Sequence, residues 1–537
     1  MNRIPRTDDS RLNVLIRQVE KHHARRVKNG EYNRFHVTPS TQYVALTELS
    51  FTNALVWGID GGIIDDTLAN PRQLDCGVLS EVRVGTREGT GVGYNSGLVT
   101  LKGDLRALEK IVNLQCNQSF ESSIESYCDF YGQSLVQKNV NFPRLVEVEP
   151  QRNLDSSKKH KIPLDKLRRI VKESSRILNK LGDTGNAKVS IKEEVRRYVN
   201  SEGTVIRDNF FGYRLLLAIK SRDASGRDED YSQGFYFTRN SDLDEKRIYN
   251  FAEYMVREVA KRKDCSPFGT IVCPVMYTPD SLASELHECF AHLLASDMIL
   301  DYSTIFGWEN YGQPVASKYL QVAADPGMPN RWGSFKFDYE GIPSQRRQLI
   351  ENGKIVGYLA DRNGAFHLSK RIGTNVSPGD CRFDMTNNGD FFEPQPRISN
   401  LDINYTALNR PRSKKAMFQR FLQLLKKQGT NGIYIPEGSD AESEMDTGRI
   451  SCFYNFPYLV SPDGKMSPTK FIFTSSYASN FLKNIVVMGE PRAYIPHYCG
   501  DGEEQASVRA GILCGPAIVN NVQVTSYRPE ERKQKMI

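Results

Sequence analysis

The chain has 537 residues, 39% hydrophobic and 25% charged, which is enough apolar material for folded cores and rules out disorder as its main state. That length suggests about three domains of ordinary size. Lys and Arg number 71 against 64 Asp and Glu, and a net charge of 71 − 64 = +7 spread this thinly is not the concentrated charge of a nucleic-acid binder.

The richest apolar stretches, such as Leu215–Ile219, end long before the ~20 residues a spanning helix needs. The first nine residues carry no apolar segment of signal-peptide type. Ten cysteines, none paired as CxxC, form neither a disulfide framework nor a ribbon-type zinc site. Together these features predict reduced thiols and a cytoplasmic location.

In chain order, a first helix is predicted from about Asp9 to Lys28. Asp9 or Ser10 caps it, Leu12, Leu15, Ile16 and Val19 form its apolar stripe, and Gly30 follows its end. Its basic face, with Lys21, Arg25, Arg26 and Lys28, reads as solvated. From Tyr43 to about Thr100, β-branched and aromatic runs such as Val44–Thr47 and Glu81–Val84 predict strands. Glycines at 85, 89, 91, 93 and 97 read as a glycine-rich turn. They form no dinucleotide fingerprint, because the third glycine counted from Gly91 would fall at Ser96, and no Gly-Lys-Ser/Thr closes a P-loop.

Residues 101–140 read as helical and 144–162 as a polar linker. A further helix runs from about Pro163 to Leu181, stopped by Gly182. Strands follow at Val189–Ile191 and Tyr213–Ile219, with a hairpin turn over Arg197–Thr204. Beyond about Ser266, one helix from about Asp280 to Leu300 precedes short strands and turns, interrupted by a basic amphipathic helix near Lys414–Lys427.

The chemistry concentrates in His287-Glu288-Cys289-Phe290-Ala291-His292, in a protein with only eight histidines. Histidines four apart share a helical face, as in common zinc-protease motifs. Five apart, they diverge by about 140° on a regular α-helix. A shared metal therefore requires a local distortion, such as a π-bulge, or a helix end near His292. A catalytic zinc takes three protein ligands and leaves one position for water. Glu288 is then placed as the general base. The third ligand is sought in His497-Tyr498-Cys499-Gly500-Asp501-Gly502, where Cys499 looks to sit in a tight, partly exposed loop. Cys499 and His497 are rival candidates, and spacing does not choose between them.

At this point the sequence resembles the TldD/PmbA metallopeptidases, once labelled modulators of DNA gyrase. His287–Leu293 resembles the family's HEAFGHL segment. Asp325-Pro326, Arg331–Phe335 and Phe337–Gly341 resemble its GSxxxDDEG region. Leu349–Gly353 and Gly357–Leu359 follow in register, Pro396–Asn400 resembles PRMTN, and Gly432-Ile433-Tyr434 comes next in order. Cys499-Gly500, with Gln505, sits where the family has CGKxGQ, and Tyr198–Thr204 resembles its middle region.

The resemblance implies an α+β fold: an N-terminal α+β domain and a C-terminal β-rich metalloprotease domain carrying one HExxxH helix. It implies boundaries with a helical extension over 1–42, the N-terminal domain over 43–265 (sheet 43–100, middle region 101–265) and the metallopeptidase domain over 266–537. It implies Zn2+ held by His287, His292 and Cys499, with Glu288 as catalytic base. It implies hydrolysis of small, unfolded or modified peptides, extending in some relatives to peptide natural products. It also implies a homodimer or a heterodimer with a paralogue, in which this chain resembles the active partner.

On that reading Arg397, Asn400 and Tyr434 orient the substrate. Three departures bear on specificity: Ala291 replaces a glycine, Tyr339 an aspartate and Asp501 a lysine. An aspartate there repels a peptide carboxylate that a lysine would pair with. The alternatives are a non-enzymatic partner that binds peptide through a vestigial site, a repurposed biosynthetic amide hydrolase, and, from the old label and the Lys414–Lys427 helix, nucleic-acid association.

Overall fold

The computed structural model describes residues 3–25, 27, 39–68, 72–86, 89–99, 104–137, 140–155, 160–181, 183–301, 305–383, 391–438, 440–500 and 507–527. The fold is α+β. Helix α1 (Ser10–His23) is capped by the Asp9 carboxylate, which accepts from the Arg11 and Leu12 amides. The chain then enters a long antiparallel system: β1 (Ser40–Ile59), β2 (Gly62–Asp66), β3 (Arg72–Thr86) and β4 (Gly89–Val99). Helix α2 (Leu105–Val136), the short β5 (Arg152–Leu154) and helix α3 (Leu164–Leu178) lead into β6 (Thr184–Asn200), β7 (Val205–Arg222), β8 (Asp228–Phe237) and helix α4 (Glu245–Arg262). Among the described residues these strands form an eight-stranded sheet in the order β4-β3-β1-β6-β7-β5, with β2 on β1 and β8 on β7.

The period-2 alternation of β1 divides the sheet's two faces. Val44, Leu46, Ala54 and Val56 face the helices, α1 and α2 at one end and α3 and α4 at the other. Tyr43, Ala45, Leu49 and Phe51 face the other way, where they meet Phe337, Tyr339 and Phe383 of the C-terminal half.

Two features of this region differ from the sequence reading. The glycines are not a turn: Gly91, Gly93 and Gly97 lie within β4, pressed against α2. A methyl group at Gly93 would collide with the Ser119 carbonyl oxygen, and one at Gly91 with that of Ser123. The two serine hydroxyls hold the contact, Ser119 donating to the Ser80 carbonyl (3.1 Å) and Ser123 to that of Gly91 (2.8 Å). Close backbone approach is the physical demand here, and nothing in single-strand patterning announces it. Gly93→Ala is expected to lower stability by about 1–3 kcal/mol through overpacking, read from the urea midpoint.

The basic face of α1 is likewise not simply solvated. Lys21 and Arg25 donate to Asn113, Asn117 and Glu121 of α2, and the Arg25 guanidinium lies 3.7 Å over the Phe120 ring. The helix ends at His23, and Arg26, Lys28 and Gly30 lie outside the described residues, as does Gly182 beyond α3. Although the sequence sets residues 1–42 apart, α1 shares its core with β1, β3 and α2.

Among the described residues the C-terminal half holds two large sheets and a two-stranded one, Cys381–Arg382 with Gln395–Pro396. In a nine-stranded sheet, β9 (Thr270–Tyr277) runs between Ala517–Ser526, antiparallel, and Gly432–Ile435, parallel. In a six-stranded sheet, Asn400–Tyr405 pairs parallel to Val508–Cys514, which pairs antiparallel to Ala493–Cys499. One apolar cluster joins both sheets and the helix after β9, through Tyr277, Leu286, Phe290, Leu401 and Ile512. The basic helix lies at Lys414–Gln428 and buries Met417, Phe421 and Leu425.

Ion pairs of buried arginines lock the halves together. Glu194 of β6 pairs with Arg509 (2.7 Å) and accepts from the Tyr339 hydroxyl (3.1 Å). Arg196 is held by Asp208 (2.8 Å) and donates to the Phe337 and Asp338 carbonyls. Arg362 forks onto Glu202, both contacts at 2.7 Å.

Candidate metal centre

The predicted helix over 280–300 is three pieces. Helix α5 (Pro279–His287) begins with a capping box between Thr278 and Ser281 and proline in its first turn. A π-helical segment, Glu288–His292, follows, and α6 (Ser296–Asp301) begins after a short turn. The π segment is the distortion that the five-residue spacing demanded. It places the His287 and His292 rings 5.2 Å apart, centroid to centroid.

Glu285 fixes α5 against the sheet. Its Oε1 accepts from Tyr277 of β9 (2.9 Å), Tyr454 (3.0 Å) and Thr474 (2.6 Å). The sequence reading missed this residue; its position two before His287 was the only clue.

Cys499 arrives from the six-stranded sheet. It ends the strand Ala493–Cys499, opposite Val508, and is fully buried. The expected exposed loop is thus a strand end turned inward, because the pairing with Val508–Cys514 is non-local and invisible in the heptapeptide. Asp501, Gly502 and Gln505 lie outside the described residues.

One ligand-capable atom from each of His287, His292 and Cys499 lies within 4.8 Å of the others, and all three residues are buried. Cys499 Sγ stands 3.9 Å from His292 Nε2. Glu288 Oε1 is 3.9 Å from His287 Nε2. His497 stands against His287 instead of joining this group, with Nε2 2.8 Å from His287 Nδ1.

Burial dominates the electrostatics. It holds His287 well below its ordinary range, His292 at about 3 and His497 at about 4, so all three imidazoles are neutral lone-pair donors. It pushes the Cys499 thiol up to about 12, with the nearby Arg397 charge opposing. Glu288 is pushed up to about 7 by burial, with the Ser443 hydroxyl opposing and Glu442 and Glu285 adding to the rise.

The donor set fits a divalent metal of the zinc type. Two neutral imidazoles and one thiol, all buried, converge here, and His292 Nδ1 is buried without a protein hydrogen-bond partner.

The remaining sequence candidates separate. Arg397 is fully buried and engaged by Asp297 (3.2 Å), Gln395 and the Pro396 carbonyl. Its charge acts on His292 and Cys499, which makes it part of the site's electrostatic wall. Asn400 is structural: its amide donates to Asp325 O and Ser334 Oγ, and its carbonyl accepts from Tyr494 (2.7 Å), bracing the loop that carries Trp332. Tyr434 packs under the Lys414–Gln428 helix with Met276, Met417 and Phe421. The structure thus gathers His287, Glu288, His292 and Cys499 with Arg397 beside them, and employs Asn400 and Tyr434 elsewhere.

Residues 270–526 match the family model described as PmbA/TldA metallopeptidase C-terminal domain. The chain is 24% identical over 340 residues to a metalloprotease of Methanothermobacter thermautotrophicus, covering 62% of this chain and 67% of that one. It is 26% identical over 294 residues to a metalloprotease TldD homologue of Buchnera aphidicola subsp. Schizaphis graminum, covering 53% and 56%. It spans about half or less of the length of further metalloprotease relatives it matches. In fold it is similar to the crystal structure of TldE from Thermococcus kodakarensis, with a TM-score of 0.60 at 16% identity over 96% of this chain and all of that one. The C-terminal match and the named relatives are those of a metallopeptidase class. The family to which the chain is similar is TldD/PmbA. The names of these relatives imply a metal.

Proposed function

We propose that this protein is a zinc-dependent metallopeptidase that hydrolyses peptide bonds of small unfolded or modified peptides. The observation that carries the reading is the convergence of His287, His292 and Cys499 on one buried point, with Glu288 beside it on a π-helical segment. The three residues would hold the metal through two imidazole nitrogens and a thiolate.

A zinc bound there supplies Lewis-acid polarisation of a carbonyl and acidification of water. The chain's own contribution is a proton shuttle. Glu288, in an environment that favours its neutral form, accepts the proton of the attacking water and delivers it to the leaving amine. His287, Glu288, His292 and Cys499 are all buried, and low local polarisability strengthens these electrostatics. Working as a dimer, with a second copy or a paralogue, and acting in the cytoplasm both belong to this reading. No described helix is long and apolar enough to cross a membrane.

Metal content by mass spectrometry tests the proposal. About one zinc per chain is expected, lost in both His287→Ala and Cys499→Ala. An unmodified protein that takes up no zinc when supplied with it would overturn the reading in favour of a peptide-binding partner.

A further inference from the structure

We infer that His497 is a positioning residue that fixes the tautomer of His287 and so presents His287 Nε2 to the metal. This rests on the metallopeptidase reading above and assigns His497 a role distinct from that of a ligand.

Distance separates the two roles. Nitrogens bound to one tetrahedral zinc at about 2.0–2.1 Å stand roughly 3.3 Å apart. His497 Nε2 and His287 Nδ1 are 2.8 Å apart, a hydrogen-bond separation, with the rings nearly perpendicular at 86°.

The proton order along this contact follows from its far end. His497 Nδ1 lies 3.3 Å from the Ile495 carbonyl oxygen, which only accepts. In a neutral imidazole one nitrogen donates and the other accepts. Nδ1 of His497 therefore carries the hydrogen, and its Nε2 accepts. The partner at 2.8 Å, His287 Nδ1, must then donate, which leaves the lone pair of His287 on Nε2. That is the nitrogen 3.9 Å from the Glu288 carboxylate. A carbonyl two residues back on the same strand thus sets the orientation of a ligand on another element, through one intervening ring.

Strand geometry supplies the means. Ile495, His497 and Cys499 share one face of the strand Ala493–Cys499, so the strand that brings the thiol also brings the orienting ring. Tyr494 and Tyr498 point away, Tyr498 towards Trp332 and Tyr236. His292 has no such partner on Nδ1, so the orienting contact is confined to His287.

The test is zinc affinity, measured by competition with a chromogenic chelator on the full chain. His497→Phe removes the acceptor and is expected to weaken zinc by roughly 10–100-fold while keeping one site per chain, the usual cost of losing a partner that orients a ligand. His497→Gln, whose side chain reaches as far and can accept, is expected to recover most of that affinity. His497→Asn, which is shorter, is expected to match the loss and replaces Phe if that variant does not fold. Cobalt-substituted variants should all keep the thiolate-to-metal charge-transfer band, since Cys499 is untouched.

Affinity in His497→Phe within about twofold of the unmodified protein, or Gln no better than Phe, overturns the positioning role. Loss of the site from both Phe and Gln makes His497 a ligand and also overturns it. If zinc persists in His287→Ala and Cys499→Ala, the metal lies elsewhere, and it is the parent reading that has failed.

Discussion

Glu288→Gln is expected to lower peptide hydrolysis by roughly 10²–10⁴-fold, the usual contribution of a positioned general base. Gln preserves the size and the hydrogen-bonding carbonyl of the side chain but cannot take a proton. The fall should appear in kcat, measured on a mixture of short unstructured peptides, with zinc content unchanged. The two readouts matter together. Glu288 sits on the π segment between the two histidines, so a variant that lost both metal and activity would show only that the segment had been disturbed. Full activity with metal retained would remove Glu288 from the chemistry.

The second large effect concerns the junction between the halves. Glu194→Ala is expected to destabilise the protein by about 3–5 kcal/mol, because it leaves Arg509 buried without its partner. Arg509 has little alternative: it lies 3.4 Å over the Phe210 ring, away from water. The double variant Glu194→Leu/Arg509→Met should recover much of the loss, since an apolar pair of similar volume removes both charges.

The pair also predicts a pH dependence. Burial alone would raise the Glu194 pKa, but Arg509, Lys192 and Arg196 outweigh it and lower it to about 2. A depressed carboxylate stabilises the fold above its unfolded pKa and loses that contribution as pH falls towards the folded value. The stability gap between Glu194→Ala and the unmodified protein, read from urea midpoints, should therefore narrow below about pH 4.5.

Local features were legible in the sequence, and non-local ones were not. The Asp9 cap, the Pro163 start of α3 and the turn between β6 and β7 follow from short-range chemistry and stand where the residues put them. The π segment was legible for another reason: two histidines five apart can share one metal only through a distortion or a helix end, so the spacing constrained the backbone. The glycines of β4 failed as a turn because their cause, the backbone of α2, lies some thirty residues away in sequence. Cys499 was misplaced at the surface because its burial depends on a strand pairing that the loop's composition does not encode. Asn400 and Tyr434 show the same limit: a polar residue within a motif can serve a brace or a core, and only its neighbours decide which.

The π-helical segment can also be described as a tolerated insertion. One residue added to a helix rotates everything after it by about 100°, which would turn a long helix's apolar stripe out of its core. Here the helix stops within two residues of His292, and α6 restarts on a new footing, tied to Leu359 by its first amide. The extra residue therefore re-aims a single side chain and disturbs nothing downstream. A histidine spacing of four could become one of five through a one-codon insertion at this spot, with the rest of the fold left in register.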